Sequence, residues 1–92
     1  MKIKVKLLKP FSDIAGKGEV DLELEEGDVN HALGNLCELH PNLKKELFDE
    51  KGEVSYSVNI FVNDKPITAL ADVDTVLKNG DEILIFMPVG GG

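Results

Sequence analysis

The stretch Lys78-Asn79-Gly80-Asp81-Glu82-Ile83-Leu84-Ile85-Phe86-Met87 decides the fold. Asn-Gly-Asp is turn chemistry, and the run from Glu82 to Met87 that follows is apolar with little alternation. A strand with apolar side chains on both faces belongs in the middle of a sheet. The rest of the sheet is therefore sought on either side of it. Just upstream, Tyr56, Val58, Ile60 and Val62 alternate with Ser57, Asn59, Phe61 and Asn63, and this period of two predicts a third strand. Asn63-Asp64-Lys65-Pro66 reads as a turn into a short edge strand around Ile67, followed by a loop through Asp72 and Asp74.

At the N-terminus, Ile3, Val5 and Leu7 alternate with Lys2, Lys4 and Lys6. Pro10 and Gly16-Lys17-Gly18 interrupt the pattern, and then Val20, Leu22 and Leu24 alternate with Glu19, Asp21, Glu23 and Glu25. This predicts a hairpin with a glycine-rich loop, one face in the core and lysines opposite acids on the other. Such cross-strand pairs contribute roughly 0.2–1 kcal/mol each, so the charge pattern needs no ligand to explain it. Glu26-Gly27-Asp28 supplies a turn and an N-cap, and Val29, Ala32, Leu33, Leu36 and Cys37 follow at helical spacing until Pro41. Gly34 falls on the polar side of this helix at a cost of about 1 kcal/mol relative to Ala, which the sequence does not explain. Residues 42–49 read as a short second helical turn packing Leu43, Leu47 and Phe48, and Glu50-Lys51-Gly52-Glu53 as a polar loop. The predicted fold is α+β, a mixed sheet with one main helix packed across it.

Ninety-two residues, 42% of them hydrophobic, make a single domain with one core. Ten lysines and no arginine stand against seventeen acids, for a net charge of −7. That balance repels a phosphate backbone and lacks the guanidinium fork that reads bases, so nucleic acid is excluded as a direct partner. No stretch approaches the roughly 18 apolar residues of a membrane span, and the alternating N-terminus has no signal-peptide core, so no membrane association is expected. A single cysteine, Cys37, rules out an internal disulfide and a multi-thiol metal site. The expected location is the cytoplasm.

Catalytic constellations are missing. His31 and His40 lie on different sides of one helix, the first on the polar face and the second at the helix end, where a cation complements the dipole. Cys37 sits on the apolar stripe as a small buried thiol. Gly16-Lys17-Gly18 lacks the length and pattern of a phosphate loop. Asp72, Asp74, Asp81 and Glu82 have no cation-loop order and read as a solvated rim. No catalytic residue and no metal ligand is assigned.

Two features ask for a reason outside the fold. The first is the end, Pro88-Val89-Gly90-Gly91-Gly92, which has no strand period and three glycines that are costly to order. A division into a domain at 1–87 and a flexible glycine tail at 88–92 follows. A run without Cβ atoms can thread a narrow tunnel and carry a carboxylate up to about 17 Å at ~3.3 Å per residue. The second is parity: with Ile83 and Ile85 turned toward the helix, Leu84 and Phe86 turn to the open face, and Phe61 joins them. An apolar patch of this kind is read as a partner surface, continued by Pro88 and Val89.

The hairpin start, the helix opened by Glu26-Gly27-Asp28-Val29, the strand Val58-Asn59-Ile60-Phe61-Val62-Asn63, the segment Leu77-Lys78-Asn79-Gly80-Asp81-Glu82-Ile83 and the ending Phe86-Met87-Pro88-Val89-Gly90-Gly91-Gly92 together resemble one family. It is that of the ubiquitin-like β-grasp sulfur carriers of the MoaD/ThiS type, archaeal small modifier proteins included. The resemblance spans the whole chain. Members usually end in Pro-Pro-Val-x-Gly-Gly, so Met87 stands where a first proline is common and Gly90 takes the variable position. The resemblance implies that Gly92 is adenylated by a ubiquitin-activating-type enzyme using ATP and converted to a thiocarboxylate, with Gly90 and Gly91 as the tail leading to it. No permanently bound cofactor is implied, and the chain acts as cosubstrate or small subunit while catalytic groups belong to the partner. Length and the segment at 42–57 resemble the small subunit of molybdopterin synthase, whose large subunit receives the tail. The second reading is a ubiquitin-like modifier joined through Gly92 to target lysines, and the third a β-grasp interaction module with an inert tail.

Overall fold

The computed structural model describes residues 1–88. Strand β1 (Lys2–Leu7) leads through a short helix α1 (Phe11–Ala15) to β2 (Glu19–Glu23), and the main helix α2 (Val29–Leu39) follows. A 3-10 turn at Pro41–Leu43 and helix α3 (Lys44–Leu47) lead to β3 (Asn59–Val62), β4 (Lys65–Pro66) and β5 (Glu82–Phe86). The sheet order is β2-β1-β5-β3-β4, with β5 at the centre, parallel to β1 and antiparallel to β3. The apolar run that opened the sequence reading is thus the middle strand, and the mixed sheet with one main helix across it is a ubiquitin-like β-grasp.

Alternation sets which face is dry. Ile3, Val5 and Leu7 of β1, Val20 and Leu22 of β2, Ile60 and Val62 of β3, and Ile83 and Ile85 of β5 are all buried. Helix α2 covers them with Val29, Ala32, Leu33 and Leu36. Its start is fixed by Asp28, in extended conformation, whose Oδ1 accepts a hydrogen bond from the His31 amide at 2.9 Å. Without that cap, one of the orphan amides of the first turn would be left to solvent. Leu43 and Leu47 close the core and Phe48 packs partly buried at its edge, as the spacing predicts. Asn63 and Asp64 both take positive φ, the two-residue turn that matches strand twist between β3 and β4.

The loop predicted between the first two strands is instead α1. Phe11 is completely buried, and this anchors the segment to the core. Gly16, at φ +77°, ends the helix in the left-handed region, where its amide donates to the Ser12 carbonyl at 2.9 Å. Gly16-Lys17-Gly18 is therefore a helix stop before it is a hairpin turn. A second difference concerns Tyr56. Its place in the Tyr56-Val58-Ile60 alternation predicts a side chain facing the core, yet β3 begins only at Asn59 and Tyr56 is fully exposed. The Val58 amide donates to Ser55 in a turn, and this breaks the phase before the strand begins.

Candidate functional site

The open face of the sheet has two chemistries. On β1 and β2, Lys2, Lys4 and Lys6 stand opposite Glu23, Asp21 and Glu19. Nζ of Lys4 lies 3.8 Å from Glu19, and Nζ of Lys6 turns the other way to Glu82 of β5 at 3.4 Å. Beyond that pair the charge stops. Leu84 is opposite Lys6 on one side and Phe61 on the other, and Phe86 is opposite Asn59. Phe61 and Phe86, diagonal neighbours across β3 and β5, have ring centroids 5.6 Å apart and planes tilted by 42°. This is a favourable tilted geometry that removes part of each ring from water.

Phe61, Leu84 and Phe86 are thus brought together as the parity argument predicts, each half-buried where Ile83 and Ile85 are completely buried. Leu8 widens the patch. Its amide donates to the Ile85 carbonyl at 3.1 Å, continuing the β1–β5 ladder, and its side chain is 50% exposed. Sequence reasoning missed it, although Leu8 continues the Lys2-Lys4-Lys6 parity and so was already on the outward set. Met87 turns back to pack partly buried against the core, and Pro88 is exposed at the end of the described chain. Val89, Gly90, Gly91 and Gly92 lie outside the described residues, as does nearly all of the tail predicted at 88–92.

The remaining candidates do not converge. His31 is exposed in the first turn of α2, with Nδ1 2.7 Å from Oδ1 of Asp28. His40 is the C-cap residue, about 14 Å of helix away. Burial opposes the charge on Asp28, but the hydrogen bonds from the His31 amide and ring, with the attraction of that ring, hold its carboxyl below the usual carboxylate range. Cys37 is half-buried rather than fully buried, and desolvation pushes its thiol up despite the opposing charge of Lys44. It is protonated at neutral pH and a poor nucleophile. Asp81 accepts from Nδ2 of Asn63 at 2.8 Å and from the Lys78 amide at 2.8 Å, so the rim acid holds its own turn. Among the described residues no three His, Cys, Asp or Glu side chains are grouped to hold a metal ion. No helix among them is long and apolar enough to cross a membrane.

The fold is a β-grasp whose central strand carries an apolar half-face, Leu84 and Phe86, out to its last residues. A family model described as the ThiS family matches residues 5–92, and the chain belongs to that family of sulfur carriers and ubiquitin-like small modifiers. It is 29% identical over 92 residues, the whole of both chains, to a protein of Archaeoglobus fulgidus provisionally named a sulfur carrier protein. The solution structure of small archaeal modifier protein 1 from Methanosarcina acetivorans is 38% identical, covers 99% of this chain and 96% of its own, and has a TM-score of 0.84. A Pyrococcus furiosus structure provisionally named molybdopterin converting factor, subunit 1, is 33% identical over 97% of this chain and 99% of its own, with a TM-score of 0.75.

Proposed function

We propose that this protein carries sulfur as a thiocarboxylate on Gly92 and serves as the small subunit of a molybdopterin synthase. The observation that carries the reading is that the family match runs through residue 92, so that Gly90-Gly91-Gly92 falls inside it. The likeness to the Pyrococcus furiosus protein, nearly end to end, favours the molybdopterin branch. A carboxylate is a poor electrophile. An activating enzyme of the ubiquitin-activating type joins it to the AMP portion of ATP, with release of pyrophosphate. Sulfide then displaces AMP to give the thiocarboxylate directly, or a persulfide displaces AMP to give an acyl disulfide, which a second thiol cleaves to release the thiocarboxylate and leave a disulfide. The catalytic groups belong to that enzyme and to the large subunit. This chain contributes the reacting end, the tail at Gly90 and Gly91, and the surface of Phe61, Leu84, Phe86, Pro88 and Val89 on which both partners dock.

A second reading, supported by the higher identity to the Methanosarcina acetivorans modifier, joins Gly92 to lysines of target proteins. Intact-protein mass after incubation with ATP, a sulfur source and the activating enzyme of the same cell separates the two. A gain matching one oxygen replaced by sulfur is expected for the carrier, and a gain equal to another protein's mass for the modifier. No change in the presence of active enzyme overturns both and leaves an interaction module. Gly91→Ala folds normally but slows pyrophosphate release, because a methyl group beside the reacting carbon narrows passage through a tunnel fitted to bare backbone.

A further inference from the structure

Gly34 is in the middle of α2, exposed, with nothing within 4 Å of the position a Cβ would occupy. No close approach of backbone or side chain requires a glycine there. What Gly34 does is lower one wall of a groove of about 800 Å³ that runs between α2 and the segment from α3 to Gly52, on the helix side of the molecule. The half-buried ring of Phe48 gives the groove an apolar portion, and Asn30, one turn before Gly34, adds an amide at its edge. Lys44, Lys45 and Lys51 line it.

Lys4, Lys6 and Lys9 pair with acids, and among the described residues the other seven of the ten lysines do not; Lys44, Lys45 and Lys51 are three of those seven, and they line one groove. Two acids, Asp49 and Glu50, share the groove, and Oδ1 of Asp49 accepts from the amides of Lys51 and Glu53 at 2.9 and 3.0 Å, so the lysines outnumber the carboxylates there by three to two. On the far side of Gly34 the lining changes sign, to Glu26 and Glu38. On a molecule of net charge −7, an acidic partner is repelled over most of the surface and can approach where lysines outnumber acids.

We propose that this groove is a second docking surface, separate from the open sheet face, and that its occupant is a short extended acidic peptide segment of a partner protein. An apolar side chain of the segment lies on Phe48, its carboxylates meet Lys44, Lys45 and Lys51, and the segment ends at Gly34, beyond which Glu26 and Glu38 repel it. The glycine is retained because any side chain at that position stands in the path. Helix stability is given up there for access to the groove.

The test uses the full chain, labelled with nitrogen-15, and a capped synthetic peptide alternating Glu with Leu, with a control in which Gln replaces every Glu. Saturable shifts of the amides of Gly34, Lys45, Phe48 and Lys51 are expected with the acidic peptide only. Lys44→Glu with Lys45→Glu weakens binding by about tenfold or more, since a repulsive charge replaces an attractive one at each site. Gly34→Ala is the sharper variant, because its methyl group enters open space: Tm rises while peptide affinity falls several-fold. Equal binding of the Gln peptide, shifts confined to the sheet face, no saturable shift, or unchanged affinity in Gly34→Ala each overturns the proposal. Both variants retain the ATP-dependent mass gain at Gly92. Its loss would make the groove part of the activation surface and overturn a separate docking site, while its absence from the wild-type chain would bear on the carrier reading alone.

Discussion

The open face of the sheet is one pleated surface with two halves. Over β1 and β2 each outward side chain finds an opposite charge or water, and that half is complete as it stands. Over β5 and β3, past Glu82 at the border, the outward side chains are Leu84, Phe86, Phe61 and Asn59, and the three apolar ones cover one another only in part. Both halves contribute to the dry face beneath, Ile3, Val5, Leu7, Val20 and Leu22 from one and Ile60, Val62, Ile83 and Ile85 from the other, so core formation does not explain the contrast. Burial on one side of β5 holds the fold, and the apolar surface on the other is the one we propose as the docking surface.

The strongest way to break this contrast is to place the same charge on the two sides of β5. Ile85→Asp puts a carboxylate where exposure is zero, and it is expected to remove several kcal/mol, enough to unfold a domain of this size. Phe86→Asp, one residue on, is expected to leave urea denaturation close to wild type and to abolish binding to the activating enzyme or large subunit. If Phe86→Asp unfolds the chain and Ile85→Asp does not, the faces are assigned backwards. If both fold and bind, the apolar half has no docking role.

That parity was legible before any coordinates, because β1 and β2 keep strict alternation and, once Ile83 and Ile85 of the apolar β5 run are set inward, the period of two puts Leu84 and Phe86 outward. Helix α2 was legible for a similar local reason, with Asp28 at the cap and an apolar stripe to Leu36. The losses share a cause. Phe11 turns a glycine-rich interruption into α1 because it reaches a core built from distant residues, and nothing within the loop announces it. Tyr56 lies in phase with Val58, but a turn at Ser55 resets the backbone before the strand starts. The lysine-lined groove depends on α2 meeting the 44–52 segment, so Gly34 has no explanation until both are in place.

A carboxylate that does stabilise sharpens the comparison with the charged half of the sheet. Asp28→Ala removes the α2 cap and is expected to cost about 1 kcal/mol at neutral pH. Since folding depresses the Asp28 pKa, its contribution is complete above the unfolded-state value near 3.9 and is lost as pH falls through the lower folded-state value. The difference between wild type and variant in urea denaturation should therefore shrink on acidification below about pH 4. A difference that persists undiminished at lower pH would mean that Asp28 acts by packing instead of by its charge.

Within the apolar half, Phe61 and Phe86 should be coupled. The single and double alanine variants form a cycle, and a coupling of about 0.5 kcal/mol is expected, the low end for aromatic pairs because both rings remain partly wet. Binding of the partner should show a larger coupling than folding does, since the pair is desolvated only in the complex. Equal coupling in both measurements would mean that the rings serve the fold alone.

The smallest effect is expected at the border. Lys6 stands opposite Leu84 and its ammonium is 3.4 Å from Glu82, with both side chains more than two-fifths exposed. An ion pair that wet is worth a few tenths of a kcal/mol, and it weakens with salt. Lys6→Ala should shift stability by no more than about 0.5 kcal/mol in low salt and by less in high salt. Lys6→Leu keeps an aliphatic stem beside Leu84 while deleting the charge, so it enlarges the apolar half without touching the core. That variant should fold as well as wild type and self-associate at lower concentration, read by sedimentation, because the lysine bounds the sticky surface as well as pairing with Glu82. A loss above about 1 kcal/mol in either variant would show the charged half to be a stabilising network in its own right, and the division of the face into a finished half and an unfinished one would fail.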